Sequence, residues 1–243
     1  MALKTAFKRI VVLTGAGVSA ESGMGTFRDK DGIWTKQSLE DVATPEGFAR
    51  NPRLVHDFYN ARRRALREAA PNSAHFALAK LEQSVRKAGG ELMLVTQNVD
   101  NLHEKAGSNT LLHMHGELSR VMCASCGTKG AWDEDLFTDT ECWRCGRLGA
   151  LRPDVVWFGE APYGIDDIYG RLASCDLFAS IGTSGEVYPA ASFVDEARTA
   201  GAHTVELNLE PSANARTFSE GRYGLATQIV DEWVTQVIQK IGV

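Results

Sequence analysis

The stretch VVLTGAGVSAESGMGTFRDKDGIW, Val11 to Trp34, decides how the chain is read. A short apolar run ends at Thr14, glycines follow, and a helix is expected to begin. Gly15 permits a tight turn after the strand, and Gly17 lets the backbone approach a pyrophosphate. Ala20 stands where a third glycine often lets the helix pack on the sheet. The anion would meet the N-terminus of that helix. A strand-to-helix turn with no ligand could carry the same letters. The continuation departs from a dehydrogenase, whose next strand would bring an acidic residue about 20 positions on. Here SGMGTFRDKDGIW is polar and glycine-rich, which predicts a mobile loop over a nucleotide. Ribose contacts must then come from far downstream. Asn208 and Glu210 in ELNLEP end one apolar run, and Ile181 to Ser184, IGTS, end another.

Outward from this stretch, short apolar runs recur near Leu94, Leu112, Phe178 and Val205. Each is continuous, as expected of strands buried on both faces of a parallel sheet. Helical patterns lie between them. NSAHFALAKLEQSVRKAGG has apolar residues at Phe76, Leu78, Leu81 and Val85 with Gly89 as a stop. PAASFVDEARTAG ends at Gly201, and DEWVTQVIQKI closes the sequence. The alternation predicts an α/β fold, a doubly wound Rossmann-like parallel sheet. Two stretches break the pattern. Residues 25–71 read as a loop and helices, and residues 120–152 carry cysteine pairs. Together they are expected to form a smaller domain beside a large one of residues 1–24, 72–119 and 153–243.

The 243 residues are 44% apolar and carry a formal charge of -5, which gives no support for a nucleic-acid face. No apolar run approaches the roughly 20 residues of a membrane span. The opening MALKTAFKRIVVL lacks the apolar core and cleavage site of a signal peptide. The expectation is a cytoplasmic protein with no membrane or direct nucleic-acid partner. In a reducing compartment, tight cysteine pairs point to metal before disulfides.

TQNVDNLHEKAG sets Gln97, Asn98 and Asp100 just past a strand, where they could position a ribose, an amide or a water, or simply cap a helix. HMHG offers His113 and His115, which alternation would put on one face of a strand. A histidine near neutral pH can take a proton from a hydroxyl. Gly116 follows His115, so the backbone turns there and opens that side chain to a cleft. His56, His75, His103 and His203 read as packing or surface residues.

CASCG and CWRCG place Cys123, Cys126, Cys142 and Cys145 in two C-x-x-C turns fifteen residues apart. Gly127 and Gly146 supply the positive φ that such turns require. Four thiolates match tetrahedral zinc in a closed structural site, a zinc ribbon. Its acidic residues, Asp133 to Asp135, Asp139 and Glu141, argue for a structural module over nucleic-acid binding. Cys175 reads as a buried hydrophobe.

In this order, GAGVSAESGMGTFR, TQNVDNLHEKAG, HMHGEL, CASC and CWRC, LRPDVVWFGE, IGTSGEVYPA and ELNLEP resemble the sirtuins, the NAD-dependent protein lysine deacylases, over nearly the whole chain. The chain looks most like short bacterial members that also remove acidic acyl groups. One departure is MGTFR, Met24 to Arg28, where many sirtuins carry IPDFR. The resemblance implies that NAD is consumed as a substrate, without hydride transfer. The acyl-lysine amide oxygen would attack the ribose carbon bearing nicotinamide, and an alkylimidate would form. His115 would help deprotonate a ribose hydroxyl, which attacks the imidate. The products would be nicotinamide, 2′-O-acyl-ADP-ribose and free lysine.

It further implies that Asn98 and Asp100 serve this chemistry with His115. NAD contacts would come from Gly15, Ala16, Gly17 and Ser19; from Thr26, Phe27, Arg28 and Trp34; and from Gln97 and Val99 beside Asn98 and Asp100. Toward the adenosine lie Gly182, Thr183 and Ser184, then Asn208, Leu209, Glu210 and Ala226. VVWFGE and GEVYPA match segments that clamp the substrate backbone between strands, through Val156, Phe158, Gly159 and Val187. In HDFYNARRRALREA, Tyr59 shares a helix face with Arg62 and Arg63. By composition alone this is a packed tyrosine and a solvated basic run. By resemblance, Tyr59 and Arg62 hold the carboxylate of malonyl- or succinyl-lysine. Two other readings share many of these residues: a mono-ADP-ribosyltransferase and a non-catalytic zinc and nucleotide scaffold.

Overall fold

β1 (Arg9–Thr14) shows why the sheet is buried on both faces. Ile10 and Val12 point to one side and Val11 and Leu13 to the other, and all four are buried. Each such side chain contributes about 1.5–3 kcal/mol when fully withdrawn from water. The computed structural model describes residues 7–25 and 38–242. Within them β1 is central to a six-stranded, all-parallel sheet of order β3-β2-β1-β7-β8-β9. The partners are β2 (Glu91–Thr96), β3 (Leu111–His113), β7 (Leu177–Ile181), β8 (His203–Asn208) and β9 (Glu220–Tyr223). The order reverses between β1 and β7, so a crevice opens beyond their C-terminal ends, the usual ligand position in such sheets.

One face of the sheet packs against α4 (Ser73–Lys87) and α8 (Ala226–Ile241), with Leu78, Leu81, Trp233 and Val237 in that core. The other packs against α6 (Ile165–Leu172) and α7 (Phe193–Thr199) through Ile168, Leu172, Phe193 and Val194. Asn72 caps α4, its side chain accepting from Ala74 N–H, and Gly89 takes φ 74° just past the helix. Phe76, expected on the apolar face of α4, is 52% exposed. The core uses Ala74, Ala77, Leu78 and Leu81, a stripe that passes it by.

α1 (Leu39–Val42), α2 (Pro45–Arg50) and α3 (Pro52–Glu68) form the helical insert. Its core gathers Val42, Val55, Phe58, Tyr59 and Leu66 with Leu118 and Trp157. A second sheet, antiparallel, has the order β5-β4-β6, with β4 (Gly116–Cys123), β5 (Lys129–Ala131) and β6 (Leu151–Val155). It runs from Gly116 to Val155, a few residues outside 120–152 at each end. Pro153 sits in β6, which pairs with β4 alone, an edge position where a missing N–H costs little.

The basic run of α3 is not simply solvated. Arg63 is buried, donating Nε–H to Leu118 O at 2.8 Å and a terminal N–H to Glu134 O at 3.2 Å. Asn60 exchanges hydrogen bonds with the Leu136 backbone at 2.9 and 2.8 Å, and Arg64 pairs with Asp135. The acidic stretch of the cysteine module thus docks on α3. Among the described residues no helix is long and apolar enough to cross a membrane.

Candidate active site at the crevice of the parallel sheet

Among the described residues, the loop after β1 does not enter an α-helix. It makes two 3-10 turns, Ala16–Val18 and Ala20–Ser22. The N–H groups of Gly15 and Gly17 donate to Ile181 O and Gly182 O, both at 2.9 Å, and those of Val18 and Ser19 donate within the loop. A long helix N-terminus aimed at an anion is therefore replaced by a loop whose amides are largely taken. The glycines also have a nearer reason than a ligand. A Cβ on Gly15 would lie 2.8 Å from Gly182 O, and one on Gly17 would lie 2.7 Å from Gly182 Cα. They let the loops after β1 and β7 touch.

Strand order brings the polar ends together. Gln97 N–H donates to Thr14 O at 2.9 Å, and Asn98 Nδ2 donates to Gly15 O at 3.1 Å and to Ser19 Oγ at 3.2 Å. Beyond β7, Gly182 N–H reaches Leu207 O at 2.9 Å, and Asn208 Nδ2 donates to Thr183 O at 2.7 Å. Gly224 N–H donates to Asn208 O at 2.9 Å, which brings Ala226, the first residue of α8, to the same edge. The Ser184 hydroxyl accepts from Glu186 N–H at 3.3 Å. Leu209 and Glu210 are exposed, and Leu209 N–H donates to Asn208 Oδ1 at 3.0 Å. Thr26, Phe27, Arg28 and Trp34, with the rest of the expected cofactor loop, lie outside the described residues.

Asn98 and Asp100, alike as possible caps, separate here. Asp100 Oδ1 accepts Leu102 N–H at 3.1 Å, a turn bond that leads into a short helix, α5 (Leu102–Lys105), whose N-cap position is Asn101. Burial raises its pKa, opposed by that bond and by one from the Ser19 hydroxyl. The Asn98 amide instead spans the Gly15–Ser19 loop.

His115 does not lie on β3, which ends at His113. It sits in the two-residue link to β4. Its Nδ1 lies 3.2 Å from Gln97 O, an atom that can only accept, so Nδ1 carries the hydrogen and Nε2 is left with its lone pair. Burial lowers its pKa, against the Gln97 bond, and keeps the ring neutral near pH 7. His113 is set differently. Both its nitrogens face acceptors, Asn98 O at 3.1 Å and Glu104 Oε1 at 2.7 Å. Burial disfavours its charged form, but the bonds and charge of Glu104 outweigh that and the pKa is raised. Both acceptors favour the protonated form of His113, while His115 offers a lone pair.

Val156 N–H donates to His115 O and Phe158 N–H to Ala43 O, at 2.9 and 3.0 Å. Phe158, Gly159 and Val187 are exposed, and the segments around them are turns and loops with no strand of their own. Tyr59 is buried and accepts Trp157 Nε1–H at 2.9 Å. Arg62, half-buried and on the same helix as Arg63, has its guanidinium 5.9 Å from the Phe58 ring centre.

A family profile described as Sir2 family matches residues 15–189. The chain belongs to the Sir2 family. A Caulobacter vibrioides protein named NAD-dependent protein deacylase is 58% identical over 235 residues, covering 96% of this chain and 98% of that one. A Salmonella typhimurium protein of the same name is 55% identical over 233 residues, 95% and 84% of the two chains. A solved Sir2 homolog–NAD complex superposes with a TM-score of 0.86 at 37% identity, covering 96% of this chain and 90% of that one. A Sir2 structure bound to acetylated peptide gives 0.79 at 28% identity, covering 99% and 96%.

The four cysteines expected to bind metal fit zinc. All four sulfurs lie within 4.8 Å of one another, with Cys123–Cys145 at 3.8 Å and Cys126–Cys142 at 3.9 Å. Tetrahedral zinc with bonds of about 2.3 Å sets its sulfurs about 3.8 Å apart. Cys175 is buried, with its thiol pushed up to about 11 by burial.

Sequence reasoning missed the layer beneath the site. Asn72 N–H donates to His75 Nδ1 at 3.2 Å, so His75 Nε2–H faces the Ser19 hydroxyl at 3.3 Å. Thr14 donates to Thr96 Oγ1 at 2.9 Å and accepts from His103 Nε2 at 3.0 Å. The two imidazole rings lie 4.9 Å apart, and burial lowers both pKa values, that of His75 to about 4. These neutral histidines hold the loops that carry Ser19 and Asn98. Asn72, an Asn directly before a helical pattern, was the one signal of this layer in the letters.

Proposed function

We propose that this chain is an NAD-dependent protein lysine deacylase that releases nicotinamide, 2′-O-acyl-ADP-ribose and free lysine. The observation that carries the reading is His115, whose Nδ1–H is committed to Gln97 O and whose Nε2 is thereby free to take a proton. Membership of the Sir2 family and relatives named NAD-dependent protein deacylase support the reaction class. A Sir2 structure bound to acetylated peptide supports acyl-lysine peptides as substrates.

NAD binds in the crevice between β1 and β7, against the Gly15–Ser19 and Gly182–Ser184 loops, and Thr26, Phe27, Arg28 and Trp34 contribute further contacts to it. Gln97, Asn98, Val99 and Asp100 face the nicotinamide ribose, and Asn208, Leu209, Glu210 and Ala226 the adenosine. The nicotinamide bond breaks as the amide oxygen of the acyl-lysine attacks. His115 then removes a proton from a ribose hydroxyl, which attacks the imidate carbon; the lysine amine leaves, and one water opens the remaining bridge to give 2′-O-acyl-ADP-ribose. Val156, Phe158, Gly159 and Val187 grip the peptide backbone. Zinc on the four cysteines holds the module of residues 120–152 folded, and this module and the helices of 25–71 form the smaller of two domains. Four cysteines given to metal and a fifth, Cys175, buried as a thiol suit a reducing cytoplasm.

The same enzyme accepts acidic acyl groups. A carboxylate entering an apolar tunnel loses hydration, and an arginine fork with a tyrosine hydroxyl replaces it. Tyr59, its pKa pushed up to about 12 by burial, keeps its hydrogen to donate, and Arg62 lies one turn on. The test is a panel of acetyl-, succinyl- and malonyl-lysine peptides with NAD and mass-spectrometric product detection. Nicotinamide release without acyl-lysine, with ADP-ribose transferred to protein, would overturn the reading in favour of a mono-ADP-ribosyltransferase.

A further inference from the structure

Trp157 lies beneath Tyr59 and is fixed from three sides. The Arg152 guanidinium stacks 3.6 Å above its ring, and Phe48 lies 5.5 Å away. Arg152 grips both oxygens of Glu160, at 2.8 and 2.7 Å, and Glu160 in turn accepts Trp157 N–H at 2.9 Å. The indole is 2% exposed and its only polar atom points at the Tyr59 hydroxyl. An indole N–H can only donate, so the tyrosine oxygen must accept there. The phenolic hydrogen is thereby denied one of its two in-plane directions and is turned away from Trp157. Accepting a hydrogen bond also makes that hydroxyl a stronger donor.

We infer that Trp157 is a specificity-determining positioning residue, whose indole N–H, held by the Arg152–Glu160 clamp, presents the Tyr59 hydroxyl as a donor to acyl-lysines ending in a carboxylate. The inference rests on the acidic-acyl reading of Tyr59 and Arg62. Acetyl-lysine has no terminal oxygen to receive that hydrogen, so the effect belongs to the ratio of the two activities.

The experiment measures kcat and KM on acetyl- and succinyl-lysine peptides of one sequence for wild type, R62M, Y59F, W157F and the double variant Y59F/W157F. W157F keeps an aromatic ring and loses the N–H. It should lower the succinyl-to-acetyl ratio of kcat/KM about three- to tenfold, the span of one neutral hydrogen bond, and do so through the succinyl KM. On the Y59F background the same change should leave the ratio where Y59F has put it. A loss of equal size on both backgrounds overturns the inference, as does an unchanged ratio in W157F where Y59F lowers it. An unchanged ratio in both R62M and Y59F would instead fell the acidic-acyl reading, and the inference with it. Should W157F not fold, benzothienylalanine at position 157 keeps both rings, removes only the N–H, and must give the same pattern.

Discussion

His115→Ala isolates the proton transfer from everything before it. The side chain is partly buried, and among the described residues its ring makes one hydrogen bond, to Gln97 O at 3.2 Å. Losing such a bond costs about 1 kcal/mol, against a typical folding stability of about 5–15 kcal/mol, so the variant should fold. Loss of a general base costs about 10²–10⁴-fold in rate, or about 2.7–5.5 kcal/mol of barrier. Deacylation should therefore collapse while NAD affinity stays close to wild type. Because the base acts after nicotinamide leaves, exchange of labelled nicotinamide into NAD in the presence of acyl-peptide should outlast deacylation. The pH profile gives a second check. Burial lowers the pKa of His115 below the ordinary 6.5, and the base works only unprotonated. The acid limb of wild-type kcat/KM should thus lie below pH 6.5. The assignment fails if His115→Ala keeps kcat within about tenfold of wild type, or if His113→Ala abolishes turnover in a folded protein while His115→Ala retains it.

Elemental analysis should find one zinc per chain, and removing it should unfold the cysteine module and abolish activity indirectly, because structural zinc carries folding free energy; a folded, active, metal-free chain would refute this. Arg62→Met and Tyr59→Phe should raise the succinyl-peptide KM far more than the acetyl-peptide KM. A charged hydrogen bond of about 1.5–3 kcal/mol predicts about ten- to hundredfold for Arg62, and equal losses on both peptides would refute the selectivity. Glu104→Gln should expose the linkage at His113. That folded pKa is raised above 6.5, so its stabilisation is fully present below pH 6.5 and is lost as pH rises through the folded value. The melting-temperature gap between wild type and Glu104→Gln should be widest below pH 6.5 and narrow above it, and a gap constant with pH would refute the pairing.

The parallel sheet was legible because its strands are continuous apolar runs, and the cysteine spacing named its own geometry. β9 escaped because Glu220–Tyr223 is a short edge strand with a glycine and two charges, buried on neither face. β6 escaped because Pro153 speaks against a strand, an objection that fails at an edge. The start of α8 was placed several residues late, since Ala226–Val230 carries Thr227 and Gln228 where the apolar rhythm thins. The site was legible as a set of strand ends, since any open parallel sheet collects its ligands there. Alternation failed for His115, because β3 stops at His113 and a tight link, not the strand pleat, aims the ring.

The glycine loop shows why correct letters can stand for a different cause. Gly15 and Gly17 read as room for a pyrophosphate, yet a Cβ at either meets the backbone of Gly182 before any ligand arrives. The requirement is set by a contact across 165 residues of sequence, between the loops after β1 and β7. The same holds for the histidines that composition left as packing residues. His75 and His103 come from different helices and meet at 4.9 Å only because the folded chain seats both beneath Ser19 and Thr14. A pattern read along one segment reports what that segment can do. What it must tolerate, and what its side chains lean on, is decided by partners that only the fold brings near. Here those partners lower the pKa of His115 and raise that of His113, two residues apart on one turn of chain.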